Sequence, residues 1–365
     1  MKKFLLSLCM VLALAACDEK KTSEQANAKP VIKIGAILPL SGSQAPTSEA
    51  AKAGMLKALK EKTNPNQHYD YQLVFEDNQA KLASMPVIAS KMIMHDNVDA
   101  IGTVTSAMAK VIAPISDQKG KILYAQSTEE IDYKPFGKYA FVQGFSSIAL
   151  VEKVIEALKK QNADNIAIFG QNIGIQTSIV KDFERRLAEE NIKYTINLSN
   201  PGETDFRMTI AQIRNKDFTK FSTMLFPPEK DIVIKQLIES GVERKDIIGM
   251  NLDMGKPKDL YNDTLSVSFD SGTEDFVESI QKEYELDCTH SAAEFYDFVS
   301  LIIEAYENLY KEGQKPTAGE VTAYIHNKKE FPCMSGICTV HANGFITNEP
   351  IFLTYKNNKW VKVEE

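Results

Sequence analysis

Val31-Ile-Lys-Ile-Gly-Ala-Ile-Leu38, then a helix-forming stretch over 49–60, then Tyr71-Gln-Leu-Val-Phe75: this order of a β-branched run, an amphipathic segment and a second β-branched run governs the reading of the chain. It continues outward with a helix predicted over 82–95, a strand over 99–103, a helix over 106–118 and a strand over 121–125. Strands separated by helices imply parallel βαβ units with helices on both faces of a sheet.

The pattern then restarts. Val151, Val154, Ile155 and Leu158 recur at i, i+3, i+4 and i+7, the apolar stripe of a core-packed helix. Strands over 166–170, 193–198, 221–226, 246–250 and 265–269 alternate with helices over 177–190 and 230–240. A long helix over 292–311 follows, with Phe298, Leu301, Ile302, Ala305 and Leu309 on one face. The expected architecture is α/β, with two doubly wound parallel-sheet lobes and a cleft between them.

Before the first strand, Lys2 and Lys3 precede an apolar run over 4–16, the form of a secretory signal peptide and too short for a permanent membrane span. Leu14-Ala15-Ala16-Cys17 resembles the bacterial lipobox. The resemblance implies cleavage before Cys17 and lipidation of its thiol, which anchors the chain to a membrane. Asp18 resembles the signal that retains lipoproteins at the inner membrane of enteric bacteria, so the expected location is the periplasmic face of that membrane. Residues 18–30 are polar and read as a flexible tether.

The 365 residues are enough for two domains, and 44% hydrophobic content can furnish their cores. The formal charge of -7 becomes about -9 once Lys2 and Lys3 leave, and no basic face offers itself to nucleic acid. No G-x-S-x-G elbow, Walker loop or G-x-G-x-x-G appears, and the five histidines lack metal-ligand spacing. An enzyme is not expected, nor a cofactor or a metal. Cys333 and Cys338, in an oxidising compartment, read as a local disulfide. With His341 they suggest a metal site instead, but a fourth ligand is not evident. Cys288 reads as a buried thiol.

Ile34-Gly-Ala-Ile-Leu-Pro-Leu-Ser-Gly42 and Glu49-Ala-Ala-Lys-Ala-Gly54 resemble the opening of type I periplasmic binding proteins of the leucine/isoleucine/valine-binding family, which feed ABC importers. Phe75-Glu-Asp-Asn78, Asp99-Ala-Ile-Gly102, Gly170-Gln-Asn-Ile-Gly174 and the segment 331–344 add to the resemblance, which runs from Val31 to Tyr355. It implies three hinge crossovers, near Gly144, Asp270 and Gly344. Lobe one would comprise 31–143 with 271–343, and lobe two 144–270 with 344–365, after a signal peptide over 1–16 and a tether over 17–30. The expected function is capture of a small polar ligand (an amino acid, amide or carboxylate) by hinge closure, with ABC permease and ATPase components as partners. The alternative is an envelope lipoprotein that uses the same fold to sense a ligand or activate a protein without transport.

In open parallel sheets ligands bind beyond the carboxyl ends of the strands. The lobe-one walls are then 39–49, which holds Thr47, together with 103–108 and 126–130. Those of lobe two are 171–176, 227–229 and 251–255. Thr105 and Ser106 open a helix whose free N–H groups suit a carboxylate, though the same geometry serves capping. Ser127 and Thr128 align with the family's second small-polar contact. The resemblance places Ile173 where amino-acid binders tend to carry Tyr, leaves Phe226 as the remaining aromatic, and brings Asn251 to a position of Glu, with Asp253 as its substitute. Without a firm counter-charge for an ammonium, a carboxylate or amide competes as ligand.

Overall fold

The computed structural model describes residues 29–41, 45–126, 135–144, 146–253, 259–286 and 289–363. Cys17, Ser127, Thr128 and Cys288 lie outside the described residues. In chain order the strands and α-helices begin with β1 (Val31–Leu38), α1 (Ala45–Lys62), β2 (Asp70–Asp77), α2 (Met85–Met94), β3 (Ala100–Val104), α3 (Ser106–Lys119), β4 (Ile122–Gln126) and β5 (Ala140–Gln143). They continue through α4 (Ser147–Lys160), β6 (Asn165–Gln171), α5 (Gly174–Glu189), β7 (Lys193–Ser199), α6 (Arg207–Arg214), β8 (Phe221–Thr223), α7 (Glu229–Glu239), β9 (Ile248–Met250) and β10 (Leu265–Ser268). The last are α8 (Glu274–Tyr284), α9 (Thr289–Asn308), α10 (Ala318–Lys328), β11 (Glu330–Cys333), β12 (Gly336–Val340), β13 (Phe345–Asn348), β14 (Ile351–Lys356) and β15 (Lys359–Lys362).

The first sheet has the order β11-β12-β13-β5-β4-β3-β1-β2. From β2 to β13 every pairing is parallel, as the βαβ alternation requires, and β11 and β12 add an antiparallel edge. The second unit contains the parallel sheet β7-β6-β8 and the mixed sheet β15-β14-β10-β9. A single bridge, Phe221 to Ile247, joins the two edge to edge. Apart from β10, which pairs with the distant β14, the antiparallel strands lie in the last part of the chain, where short hairpins replace helical crossovers.

Each unit has its own core. One contains Ile34, Ile101, Tyr124, Phe295 and Phe298, and the other is built from two clusters that include Val154, Ile168, Phe183, Phe169 and Ile234. The apolar stripe of α4 is fully turned inward, with Val151, Val154 and Leu158 at 0% exposure, and Ser146 caps the helix by accepting from the Ala149 N–H at 3.1 Å. Between units the chain crosses after β5, between Phe269 and Phe276, and between β13 and β14.

The last crossing is expected near Gly344. Phe345 and Ile346 pair in parallel with Val142 and Gln143 and are buried in the first core, so β13 belongs to the first sheet. Gly344 has φ 83°, and a Cβ there would meet the Ala140 carbonyl at 2.5 Å; it is a turn against β5, with the crossing beyond it at 349–350.

Candidate functional site

At the carboxyl ends of β3 and β4, Thr105 adopts φ 68°, an outlier for a β-branched residue, while its hydroxyl accepts from the Met108 N–H at 3.4 Å and caps α3. Its own N–H donates to the Gln126 carbonyl at 2.8 Å and ties the two strand ends together. Thr105 therefore serves as a cap, and Ser106 follows it as the first residue of α3. Thr47 is not in a loop: α1 begins at Ala45, which puts Thr47 and the fully buried Ser48 in its first turn. Ser48 Oγ and Asn78 Oδ1, at the ends of α1 and β2, are buried without a hydrogen-bond partner.

The start of α9 meets this same end of the sheet, because Ser291 Oγ donates to Gln126 Oε1 at 2.9 Å. One turn further in, Glu294 is 3% exposed and its Oε1 lies 2.9 Å from His290 Nε2. Burial works against the imidazolium, but the charge and hydrogen bond of Glu294 outweigh it, and the charge of Asp253 in the second unit adds to the upward shift. The Tyr124 hydroxyl is 2.8 Å from the Glu294 carbonyl and 2.9 Å from Gln143 Oε1. Deeper still, Asp297 accepts from the Met334 N–H at 2.8 Å and from Gln143 Nε2 at 3.2 Å, and burial pushes its carboxyl up to about 7. Sequence reasoning read this helix only for its apolar face. The available signal was a polar stripe, His290, Glu294 and Asp297, at i, i+4 and i+7.

In the second unit, Asn251 (φ 52°) and Asp253 follow β9 and are drawn together by β10. Ser268 donates to Asn251 Oδ1 at 3.2 Å, and Ser266 Oγ lies 3.3 Å from Asp253 Oδ1 and accepts from the Leu252 N–H at 2.9 Å. Burial raises the Asp253 carboxyl, against the opposing pull of the Ser268 hydrogen bond and the charge of Lys230. Lys230, 1% exposed, donates to the carbonyls of Asn251 at 3.2 Å and Leu252 at 2.9 Å and sits 5.5 Å from the Tyr261 ring centre. Ile173 is the half-buried N-cap residue of α5, beyond β6, and Phe226, 40% exposed, lies between β8 and α7. Gln171 and Glu229 join these strand ends through a 3.1 Å hydrogen bond.

Cys333 and Cys338 are linked across the β11–β12 turn with their Cα atoms 5.8 Å apart. The Asp297 carboxylate is close to both sulfurs, but sulfurs bonded to each other are not thiolate ligands, which leaves one carboxylate and no metal-binding set. His341 does not join them; its Nε2 is 2.8 Å from Thr347 Oγ1. A groove of about 520 Å³ lies at the hinge, between α4 residues such as Glu152 and Glu156 and the first-unit residues His341, Thr347 and Asn348.

The sequence matches the family model described as periplasmic binding protein over residues 31–358. A search of curated proteins returns no match. Among solved structures, a leucine binding protein from Thermotoga maritima is similar at 18% identity and TM-score 0.67, covering 91% of this chain and 98% of that one. A branched-chain amino acid substrate-binding protein from Streptococcus pneumoniae, in complex with isoleucine, is 19% identical with TM-score 0.67 over 91% and 100% of the two chains. A solute binding protein from R. palustris in complex with 4-hydroxybenzoate is 16% identical with TM-score 0.69 over 92% and 96%. At these identities the likeness is one of fold.

Proposed function

The chain belongs to the periplasmic binding protein family, and from that premise we propose that it is an extracytoplasmic lipoprotein that captures a small solute in its interlobe cleft and presents it to an ABC importer. The family and the similar structures are solute-binding proteins, not enzymes. The observation that carries the proposal is mechanical: two units with separate cores are joined by three chain crossings, and polar side chains from both gather where strands end. Such a hinge closes when a ligand touches both walls and so binds the closed form better than the open one. In this reading lobe one is 31–143 with 271–348, and lobe two is 144–270 with 349–363.

The ligand chemistry follows the same end of the sheets. Leucine, isoleucine and 4-hydroxybenzoate, the solutes of the similar proteins, share a carboxylate, which suits the first turn of α3 at Ser106. A thermal-shift screen of purified protein against amino acids, aromatic and aliphatic carboxylates and amides tests this. Stabilisation by at least one carboxylate-bearing solute is expected; a protein stabilised by none of them is not a solute carrier of this class.

Membrane attachment through Cys17 has its own test. Cys17→Ser should abolish detergent-phase partitioning, and a variant that still partitions like the parent removes the lipobox reading.

A further inference from the structure

We propose that Glu294 is the acidic anchor of the cleft and that it selects solutes carrying a protonated amine. This deepens the reading of the cleft as the solute site and rests on it. Glu294 is 3% exposed, and its Oε1 is held by His290 at 2.9 Å. Its Oε2 is buried without a hydrogen-bond partner. A carboxylate accepts through both oxygens, and a buried acceptor left without a donor is costly enough to be rare in a folded protein.

The place of Glu294 points to what supplies that donor. Ser291, on the preceding turn, bonds Gln126 at the carboxyl end of β4, so α9 enters the first unit at the strand ends that also carry Thr105. From the second unit, Asp253 is close enough for its charge to act on His290. The charges of carboxylates from both units thus act on one imidazole, with Glu294 in direct contact. Lys230, whose charge acts on Asp253, donates to the carbonyls of Asn251 and Leu252. Asp297, a further turn down α9, is already bonded to Met334 and Gln143 and does not compete for a ligand. An amine with several N–H donors and a positive charge satisfies Glu294 Oε2, whereas an anionic group at this point is repelled. The counter-charge expected from the second unit is in this way provided by the first.

The test is calorimetry with matched pairs: each proteinogenic amino acid against its deamino acid (leucine with 4-methylpentanoate, phenylalanine with 3-phenylpropanoate), together with putrescine. At least one amine-bearing solute should bind, and its amine-free partner at least tenfold more weakly. Glu294→Gln should bind the amine at least tenfold more weakly while its affinity for the deamino partner is unchanged. A cooperative thermal melt of Glu294→Gln close to that of wild type guards against a folding defect in that variant. The proposal is overturned if no amine-bearing solute binds, if the deamino partner binds equally well, or if folded Glu294→Gln keeps the discrimination. Tight binding of an amine-free acid would sink this inference and leave the solute-carrier reading standing; binding of no solute at all would remove both.

Discussion

Asp297 is 4% exposed, and burial pushes its carboxyl up to about 7, helped by the charge of Glu294 and opposed by hydrogen bonds from Met334 and Gln143. An unfolded Asp titrates near about 3.9, so the folded state holds this proton more tightly. The stability it contributes is complete below about pH 4 and is lost as pH rises through about 7. His290, also shifted upward, acts with the same sign. Melting temperatures of wild type and Asp297→Asn between pH 4.5 and 8 should therefore converge in slope only above about pH 7.5, with wild type losing more than the variant on the way up. Equal slopes through the whole range would mean that Asp297 titrates normally. None of this was legible from Asp297 alone. A Tyr-Asp pair inside an apolar helix does not announce burial against a strand more than a hundred residues earlier, and only the contact with Gln143 makes the position exceptional.

Among the elements, α1 and α9 pack backbone to backbone at Gly54. A Cβ on Gly54 would lie 1.9 Å from the Ala292 carbonyl oxygen, so the glycine permits backbone contact between the two helices. Gly54→Ala should destabilise the protein by about 3 kcal/mol, at the upper end of overpacking costs, because the obstacle is main chain and cannot rotate away. A urea midpoint unchanged from wild type would refute the close approach. The β11–β12 turn offers a second test. With Cys333 and Cys338 linked, both should resist alkylation until reduced, and Cys333→Ser with Cys338→Ser should lower stability by about 2 kcal/mol, the value for so short a loop. Free reactivity of both thiols in protein taken from the periplasm would remove the link. The Gly54 motif was visible in the sequence as part of a family resemblance, but its reason was not, because the surface it touches lies in α9.

For the whole molecule, the three crossings predict a hinge. X-ray scattering should show a smaller radius of gyration with the cognate solute than without it, and binding without compaction would exclude closure. Ser106→Ala with Ser127→Ala should weaken affinity at least tenfold while leaving the unliganded melting temperature nearly unchanged, since each hydroxyl contact to a charged carboxylate is worth about 1.5–3 kcal/mol. An unchanged affinity would place the carboxylate elsewhere. Thr105 is a poorer probe because its hydroxyl caps α3. The sequence by itself determined the βαβ order, the two successive windings and the family, because strand and helix periodicity and the order of turn motifs are local properties of the chain. Only the tertiary structure decided that β13 stays with the first sheet, that the late strands form antiparallel edges, and that Glu294 and His290 pair near the strand ends within reach of the Asp253 charge. Those outcomes depend on which distant backbones pair and which side chains they bury together, and no local pattern encodes such contacts.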